Sequence, residues 1–257
     1  YHYLKMIPKI IHYCWLSEDP MPQELIKCVD TWHKYLKGYR FIKWDFSIFP
    51  KGKSRWVDQA FEKRKYAFAA DYIRLYALYH HGGIYLDSDV EVLKSFDAFL
   101  ELDDMICYEN SPRKGLEVAA IGVSKNRKWV KQCLDYYSDK SFDLGNGILD
   151  TKVMPEVVKD ILFHQNWILH DVNSIHDAHG VDTSTEIAVF PHEFFSPKSY
   201  ETGEMGITDN TYSIHHFAAS WYGIKEKIYQ FVGKLIGKNN AKKLADRIKE
   251  LIVKHLI

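Results

Sequence analysis

Residues 67–92, AFAADYIRLYALYHHGGIYLDSDVEV, contain the pattern that decides the fold. Small and apolar residues recur at helical spacing up to His81, and the two glycines that follow predict a turn, because glycine tolerates the positive φ of a helix end. The apolar run IYL predicts a buried strand directly after this turn. Residues two apart in an extended chain point the same way, so we expect Asp87 and Asp89 to face one site.

The helix in this stretch also carries a charged pair. Asp71 and Arg74 lie three residues apart on a stripe that is otherwise small or apolar. Charges on an inward-facing stripe are costly unless they are paired or used. Two interpretations stay open: a buried structural ion pair, or two side chains that project into a cleft and bind a polar ligand.

The Asp-x-Asp pattern is weak by itself. The chain has 20 Asp among 257 residues. A shuffled sequence of that composition would contain the spacing about 1.5 times. Two carboxylates are hard oxygen ligands that suit Mn²⁺ or Mg²⁺. A haloacid-dehalogenase-like phosphatase also has Asp-x-Asp after a strand, but it has Thr or Val four positions after the first Asp, where this chain has Glu91.

The composition sets wide limits on function. With 46% apolar and 26% charged residues, the chain is typical of a globular protein with a substantial core. Its 34 basic and 34 acidic residues exclude a general nucleic-acid-binding surface. Four widely spaced cysteines without a CxxC pair predict reduced thiols, and hence a cytoplasmic location.

Strand-like and helix-like segments alternate along the chain. Strands are predicted at 9–15, 39–44 and 83–89, with shorter ones in DMICYE, EVAAIGVS, NWILH and IAVFP, and helices at 22–37, 56–81, 126–137 and 151–163. This order predicts an α/β fold with a largely parallel sheet and with loops for ligand binding at the carboxyl ends of its strands.

Residues 67–92 resemble the DXD region of glycosyltransferase family 32, which includes bacterial capsule and lipopolysaccharide transferases and yeast Golgi mannosyltransferases. They are also similar to the catalytic domain of the large clostridial glucosylating toxins. Three further segments occur in the family's order: IPKIIHYCW at 7–15, FPHEFFSPKS at 190–199 and NTYSIHHFAASW at 210–221.

The resemblance implies a GT-A fold, in which a Rossmann-like, mostly parallel sheet is flanked by helices. It also implies a retaining, metal-dependent transfer of a hexose from a nucleotide sugar to a saccharide or lipid-linked saccharide acceptor. A UDP-sugar is favoured over a GDP-sugar, and bacterial surface polysaccharide synthesis is the expected setting. A sugar-binding or degenerate, non-catalytic relative is the main alternative, and the phosphatase is the third.

The resemblance also assigns roles to single residues. The implied nucleotide-sugar contacts are Trp15, stacked on the base, and Asp71, Arg74, Asp87, Ser220 and Trp221. The implied metal ligands are Asp89, Asp87 and one of His215 and His216, with Mn²⁺ or Mg²⁺ as the ion. The implied catalytic set is Asp71, Arg74, Asp87 and Asp89. A strand over 212–216 would direct the two histidines to opposite faces.

The two ends of the chain differ in character from the middle. Met6 looks like a natural start, so residues 1–5 are interpreted as a cloning remnant and the catalytic domain as 6–222. Residues 223–257 contain nine basic and three acidic residues and two amphipathic stripes, which predict a C-terminal helical appendage. We expect these helices either to pack on the catalytic domain or to lie on the anionic inner face of the plasma membrane.

Overall fold

The computed structural model describes residues 6–112 and 114–218, and the described residues up to Phe217 belong to one compact unit. The predicted tail and the predicted contacts at Ser220 and Trp221 lie outside the described residues. No helix within the described ranges combines the length and apolarity that crossing a membrane requires.

Six α-helices and eleven strands follow one another in this part of the chain. The helices are α1 (Gln23–Tyr35), α2 (Arg55–Glu62), α3 (Tyr66–His81), α4 (Lys128–Tyr136), α5 (Met154–His164) and α6 (Ile175–Ala178). The strands are β1 (Ile10–Cys14), β2 (Arg40–Trp44), β3 (Gly83–Leu86), β4 (Val90–Val92), β5 (Asp104–Met105), β6 (Ala120–Val123), β7 (Asp143–Gly145), β8 (Ile148–Leu149), β9 (Ile168–Asp171), β10 (Glu186–Val189) and β11 (Ser213–His215).

The central sheet has the strand order β2-β1-β3-β6-β5. Strand β1 pairs in parallel with β2 and β3, whereas β6 is antiparallel to both β3 and β5, so four of the five strands run in one direction. Alternate residues of β3 belong to two different core clusters, with Tyr85 in one and Ile84 and Leu86 in the other. Both faces of the sheet are therefore covered, and the predicted mostly parallel α/β fold is confirmed.

The helix predicted over 56–81 is two helices. Arg64 has φ +56°, its N–H donates to the Phe61 carbonyl, and the Lys65 N–H donates to the Ala60 carbonyl. This is the hydrogen-bond pattern that closes a helix with a left-handed residue. The prediction of one helix was wrong because apolar periodicity continues on both sides of a break that only backbone geometry reveals.

The double-glycine turn is as predicted. Gly82 and Gly83 have φ values of +64° and +104°, and a Cβ on Gly83 would lie 2.6 Å from the Ile10 carbonyl oxygen. The Gly82 carbonyl accepts a hydrogen bond of 2.8 Å from Nε2 of the fully buried His12. The turn thus brings β3 tightly beside β1, and His12 is a core histidine whose Nε2 has a hydrogen-bond partner.

Candidate active site

Asp87 and Asp89 lie in a tight turn at the carboxyl end of β3. The Asp87 N–H donates to the Ala119 carbonyl, and the Val90 N–H donates to the Asp87 carbonyl across the turn. The expectation of an extended chain through both aspartates was wrong, because this hydrogen bond turns the backbone before β4 begins. Their carboxylates still converge, since ligand atoms of Asp87, Asp89 and His215 all lie within 4.8 Å of one another.

Strand pairing brings His215 to this turn. Strand β11 is antiparallel to β4 with His215 opposite Val90, and the His216 N–H donates to the Asp89 carbonyl. The His215 Nε2 lies 3.5 Å from Asp89 Oδ1. The His216 ring points elsewhere and forms a 2.8 Å hydrogen bond from Nε2 to Glu91. The two histidines thus have different partners, and the structure brings His215, rather than His216, to the aspartates.

Glu117 is a site residue that the sequence reasoning missed. Its buried carboxylate accepts from His215 Nδ1 at 3.2 Å and from the Ala119 N–H at 2.8 Å. Burial alone would raise the pKa of Glu117, but the charge of His215 and these hydrogen bonds lower it to about 2. The available signal was an acidic residue inside the apolar run LEVAAIGV, just before β6.

The carboxylate of Glu117 determines which nitrogen of His215 faces the aspartates. A proton on Nδ1 donates to Glu117, which leaves Nε2 directed toward Asp89. Burial lowers the pKa of His215, but the negative charges of Glu117 and Asp89 outweigh it and raise the pKa well above its usual value. A carboxylate behind an imidazole is the usual support for a histidine that ligates a metal.

Arg74 is paired chiefly with Asp87. Its Nη2 donates to Asp87 Oδ1 at 2.7 Å, its Nη1 donates to the Val118 carbonyl at 2.7 Å, and its guanidinium lies 4.4 Å from the centre of the Tyr85 ring. Asp71 is further away, with Oδ1 3.8 Å from Nη2. Arg74 therefore holds Asp87, one carboxylate of the candidate metal site, more closely than it holds Asp71, its neighbour on the helix.

Asp71 is the less compensated of the two buried helix charges. Its pKa is raised to about 7, because burial outweighs the opposing effect of Arg74 and Asp87 adds a further negative charge. A carboxyl group that titrates near neutrality can both donate and accept hydrogen bonds. That property suits contact with sugar hydroxyls, the role that the resemblance implies.

Trp15 follows β1, at the same edge of the sheet as the turn that follows β3. Its indole Nε1 donates to the Asp19 carbonyl, and its backbone N–H donates to the Trp44 carbonyl. The ring is half-buried, so part of it remains accessible for stacking. Carboxyl ends of parallel strands are the usual position for ligand sites in open α/β sheets.

The side chains at the turn fit a divalent cation. Four carboxylates, those of Asp71, Asp87, Asp89 and Glu117, face Arg74 and His215. Oxygen donors with one imidazole suit Mn²⁺ or Mg²⁺, and the excess of negative charge favours a cation. Asp89, Asp87 and His215 are the residues that would hold it.

Comparison with known families agrees with this chemistry. Residues 22–110 match the family described as glycosyltransferase sugar-binding region containing DXD motif. This matched segment makes up about a third of the chain. It contains Asp71, Arg74, Asp87 and Asp89, whereas Glu117 and His215 lie beyond it. The match favours the transferase over the phosphatase.

Curated relatives match about two fifths of the chain. The mannosyl phosphorylinositol ceramide synthase SUR1 of Saccharomyces cerevisiae is 36% identical over 110 residues, which cover 37% of this chain and 28% of that protein. The inositol phosphoceramide mannosyltransferase 1 of Schizosaccharomyces pombe is 29% identical over 116 residues, which cover 42% of this chain and 36% of that protein. The chain thus matches about a third of the length of each relative.

A solved structure supports the fold over a longer range. The PaToxG glycosyltransferase superposes with a TM-score of 0.50 at 22% identity, covering 63% of this chain and 70% of that one. The GT-A type of fold implied by the resemblance is confirmed. The enzyme class of a glycosyltransferase agrees with the family match and with the curated relatives.

Proposed function

We propose that this protein transfers a hexose from a nucleotide sugar to a saccharide acceptor in a metal-dependent reaction. The observation that carries the proposal is the convergence of Asp87, Asp89 and His215 within 4.8 Å at the carboxyl end of β3. The DXD-type region that contains both aspartates supports it.

Each charged residue has a defined part in the proposed reaction. When bound, Mn²⁺ or Mg²⁺ would supply positive charge to the diphosphate that departs as the glycosidic C–O bond breaks. Arg74 orients Asp87, and Glu117 orients His215, so that the ligand atoms are in place before a donor binds. Asp71 accepts or donates hydrogen bonds at the sugar hydroxyls, and Trp15 stacks on the base.

The donor and the stereochemistry belong to the same proposal. Retention of anomeric configuration and preference for a UDP-sugar rest on the family resemblance. The two yeast relatives carry mannosyl or mannosyltransferase in their names, so mannose is the first donor sugar to test. Those names also include phosphorylinositol ceramide in one case and inositol phosphoceramide in the other, which makes a lipid-linked acceptor part of the panel.

The setting in the cell is proposed on sequence grounds. Four thiols without a disulfide agree with a reducing compartment. A cytoplasmic enzyme, held against the inner face of the plasma membrane by the basic residues of 223–257, could act in bacterial surface polysaccharide synthesis.

A donor panel tests the proposal directly. The full chain is incubated with UDP- and GDP-sugars in the presence of Mn²⁺, Mg²⁺ or EDTA, with and without saccharide acceptors, and release of nucleoside diphosphate is measured. We expect release that requires the metal and one donor class, and NMR of the product should show a retained anomer. No release from any donor under any condition would leave a sugar-binding, non-catalytic protein as the better explanation.

A further inference from the structure

A cavity outside the candidate metal site is lined in part by the loop that leads to Glu117. It has a volume of about 620 Å³, which is in the range of small-molecule pockets. We call it the acidic pocket, and its defining residues are Tyr108, Glu109, Asp171, His192, Glu201 and Glu204. Strands β9 and β10 are parallel, and Cys107 forms a parallel bridge with Phe190, so the pocket lies where three parallel segments end.

Two hairpin-like loops connect the acidic pocket to the candidate active site. In the first, Glu109 and Glu117 are on opposite arms, held by hydrogen bonds from Glu109 N to the Gly115 carbonyl and from Glu117 N to the Cys107 carbonyl. One arm therefore holds His215 through Glu117, while the other presents Glu109 to the pocket.

The second loop, residues 198–205, is anchored to the backbone that directly follows β11. Lys198 pairs with Met205 across this loop, and its Nζ donates to the His216 carbonyl at 2.8 Å. Asn110 Nδ2 donates to the Pro197 carbonyl at 2.7 Å, which joins the two loops. A molecule in the acidic pocket would thus be held by the same framework that holds His215.

The lining has the chemistry of a site for neutral polyols. Glu109, Asp171, Glu201 and Glu204 supply carboxylate acceptors, and the described part of the lining includes one lysine, Lys114. Tyr108 donates its hydroxyl to Asp171, which fixes both side chains. Sugar hydroxyls can donate to such carboxylates, whereas a phosphate would meet like charges, which are unfavourable in a partly enclosed site.

Two polar atoms of the lining residues have no hydrogen-bond partner within the described residues. They are Ser111 Oγ and His192 Nδ1, which are closed off from solvent although their side chains are only partly buried. Buried polar groups are normally satisfied, so a ligand that displaces either side chain toward the pocket would let that atom form a hydrogen bond. Neither atom belongs to the candidate metal site.

We propose that the acidic pocket is the acceptor subsite and that it selects an uncharged saccharide over a phosphorylated one. The proposal rests on the proposed glycosyl transfer and narrows it to a substrate class. It distinguishes this chain from the two yeast relatives, whose names contain the phosphate-bearing groups phosphorylinositol ceramide and inositol phosphoceramide.

Matched acceptors provide the test. With the full chain, Mn²⁺ and the donor selected from the panel, transfer is measured to methyl α-mannoside, methyl β-glucoside and methyl β-galactoside, and to the 6-phosphates of each. We expect kcat/KM to be at least about tenfold higher for one neutral glycoside than for its phosphate. Equal or better use of the phosphorylated partner overturns the proposed selectivity.

Three variants test the location of the subsite. Glu201→Gln with Glu204→Gln removes two charges, Asp171→Asn removes one, and Gly115→Ala places a Cβ 2.5 Å from Glu109 Oε2, which displaces that flexible carboxylate. We expect each to raise the KM for the neutral acceptor about tenfold, and the first two to narrow the discrimination against phosphate. Glu156→Gln, on the exposed side of α5, is the charge-matched control.

Binding of nucleoside diphosphate with Mn²⁺, measured by calorimetry, distinguishes a failure of the acceptor subsite from a failure of the proposed transfer. An unchanged Kd together with a raised acceptor KM supports the subsite. Donor turnover with an unchanged acceptor KM in all three variants overturns the subsite and leaves the proposed transfer intact. No turnover of any donor by the wild type overturns the proposed transfer, and the subsite with it.

Discussion

Two histidines, the fully buried His12 near the start of the described chain and the partly buried His215 near its end, show how the neighbours of a histidine decide its chemistry. His12 lies in β1 between a carbonyl and an indole: its Nε2 donates to Gly82, and its Nδ1 accepts from Trp44 Nε1 at 3.0 Å. His215 lies in β11 between two carboxylates, those of Glu117 and Asp89. One ring is held neutral by one donor and one acceptor, while the other is surrounded by acceptors.

The difference appears in the direction of the two pKa shifts. Burial lowers the pKa of His12 to about 4, although the hydrogen bond to Gly82 opposes the shift. Burial acts in the same direction on His215, but the negative charges of Glu117 and Asp89 outweigh it and raise the pKa. Burial alone therefore does not reveal a functional histidine, and the charge of its partners does.

The largest expected effect comes from breaking the carboxylate side of the His215 site. Asp89→Asn keeps the shape of the side chain but removes the charge beside His215 and Asp87, and we expect the metal-dependent rate to fall by a factor on the order of 10²–10³. The measurement is the initial rate of nucleoside diphosphate release with Mn²⁺. Full activity in this variant would show that the metal assignment is wrong.

Alanine variants of His215 and His216 test which of the two histidines contacts the metal. His215→Ala should lose activity to a similar degree, whereas His216→Ala, which removes only the hydrogen bond to Glu91, should change the rate less than about threefold. The reverse order would assign the metal contact to His216.

The next largest effect concerns His12, the neutral histidine, and is measured as a change in the free energy of unfolding. Between pH 6.5 and about 4 the unfolded chain protonates His12 while the folded protein does not. The unfolded state then binds more protons, so the free energy of unfolding falls as the pH falls through this window, by up to about 3 kcal/mol for a shift of this size. Protonated Nδ1 would face the Trp44 N–H, with two donors in opposition.

Urea unfolding of the wild type and of His12→Gln at pH 7 and pH 4.5 measures this contribution. Gln retains a donor for Gly82 but does not titrate, so the variant should be less stable at pH 7 and lose less stability on acidification. Parallel pH profiles for the two proteins would show that His12 does not carry the effect.

The smallest expected effect concerns Glu117, the carboxylate that accepts a hydrogen bond from His215. Glu117→Gln removes the charge that orients the imidazole, and we expect the affinity for Mn²⁺ to fall about 10- to 100-fold. Glu91→Gln is the matched control, because Glu91 holds the neighbouring His216 in the same way. Calorimetric titration with Mn²⁺ gives both affinities, and equal losses in the two variants would contradict a specific role for Glu117.

Much of the fold could be predicted because it depends on local patterns. The positions of the helices, the strand after Gly83 and the α/β class follow from apolar periodicity and the glycine turn. The break at Arg64 could not be predicted, because arginine is not a residue type that indicates a left-handed backbone conformation. The β7–β8 hairpin and the β4–β11 pair were also missed, since short strands depend on partners that are distant in sequence.

In the candidate site, too, local features could be predicted and contacts between distant residues could not. Asp87 and Asp89 are close in sequence, and a turn of helix connects Asp71 with Arg74, so local spacing made these four residues candidates, and the family resemblance supplied their expected roles. The contact between Arg74 and Asp87 joins two such local pairs and was not foreseen. Glu117 was missed because its role depends on His215, 98 residues away.

By itself, the sequence determined which residue types were available and which of them were neighbours along one element: a helix with a charged pair, a glycine turn, a buried strand and two carboxylates. Only the tertiary structure decided which histidine joins the aspartates, which carboxylate orients it and which cavity is lined by the loop that leads to that carboxylate. The physical reason is that hydrogen-bond and charge partners are set by distance in space, and the pairing of β4 with β11 brings together residues separated by more than 120 positions.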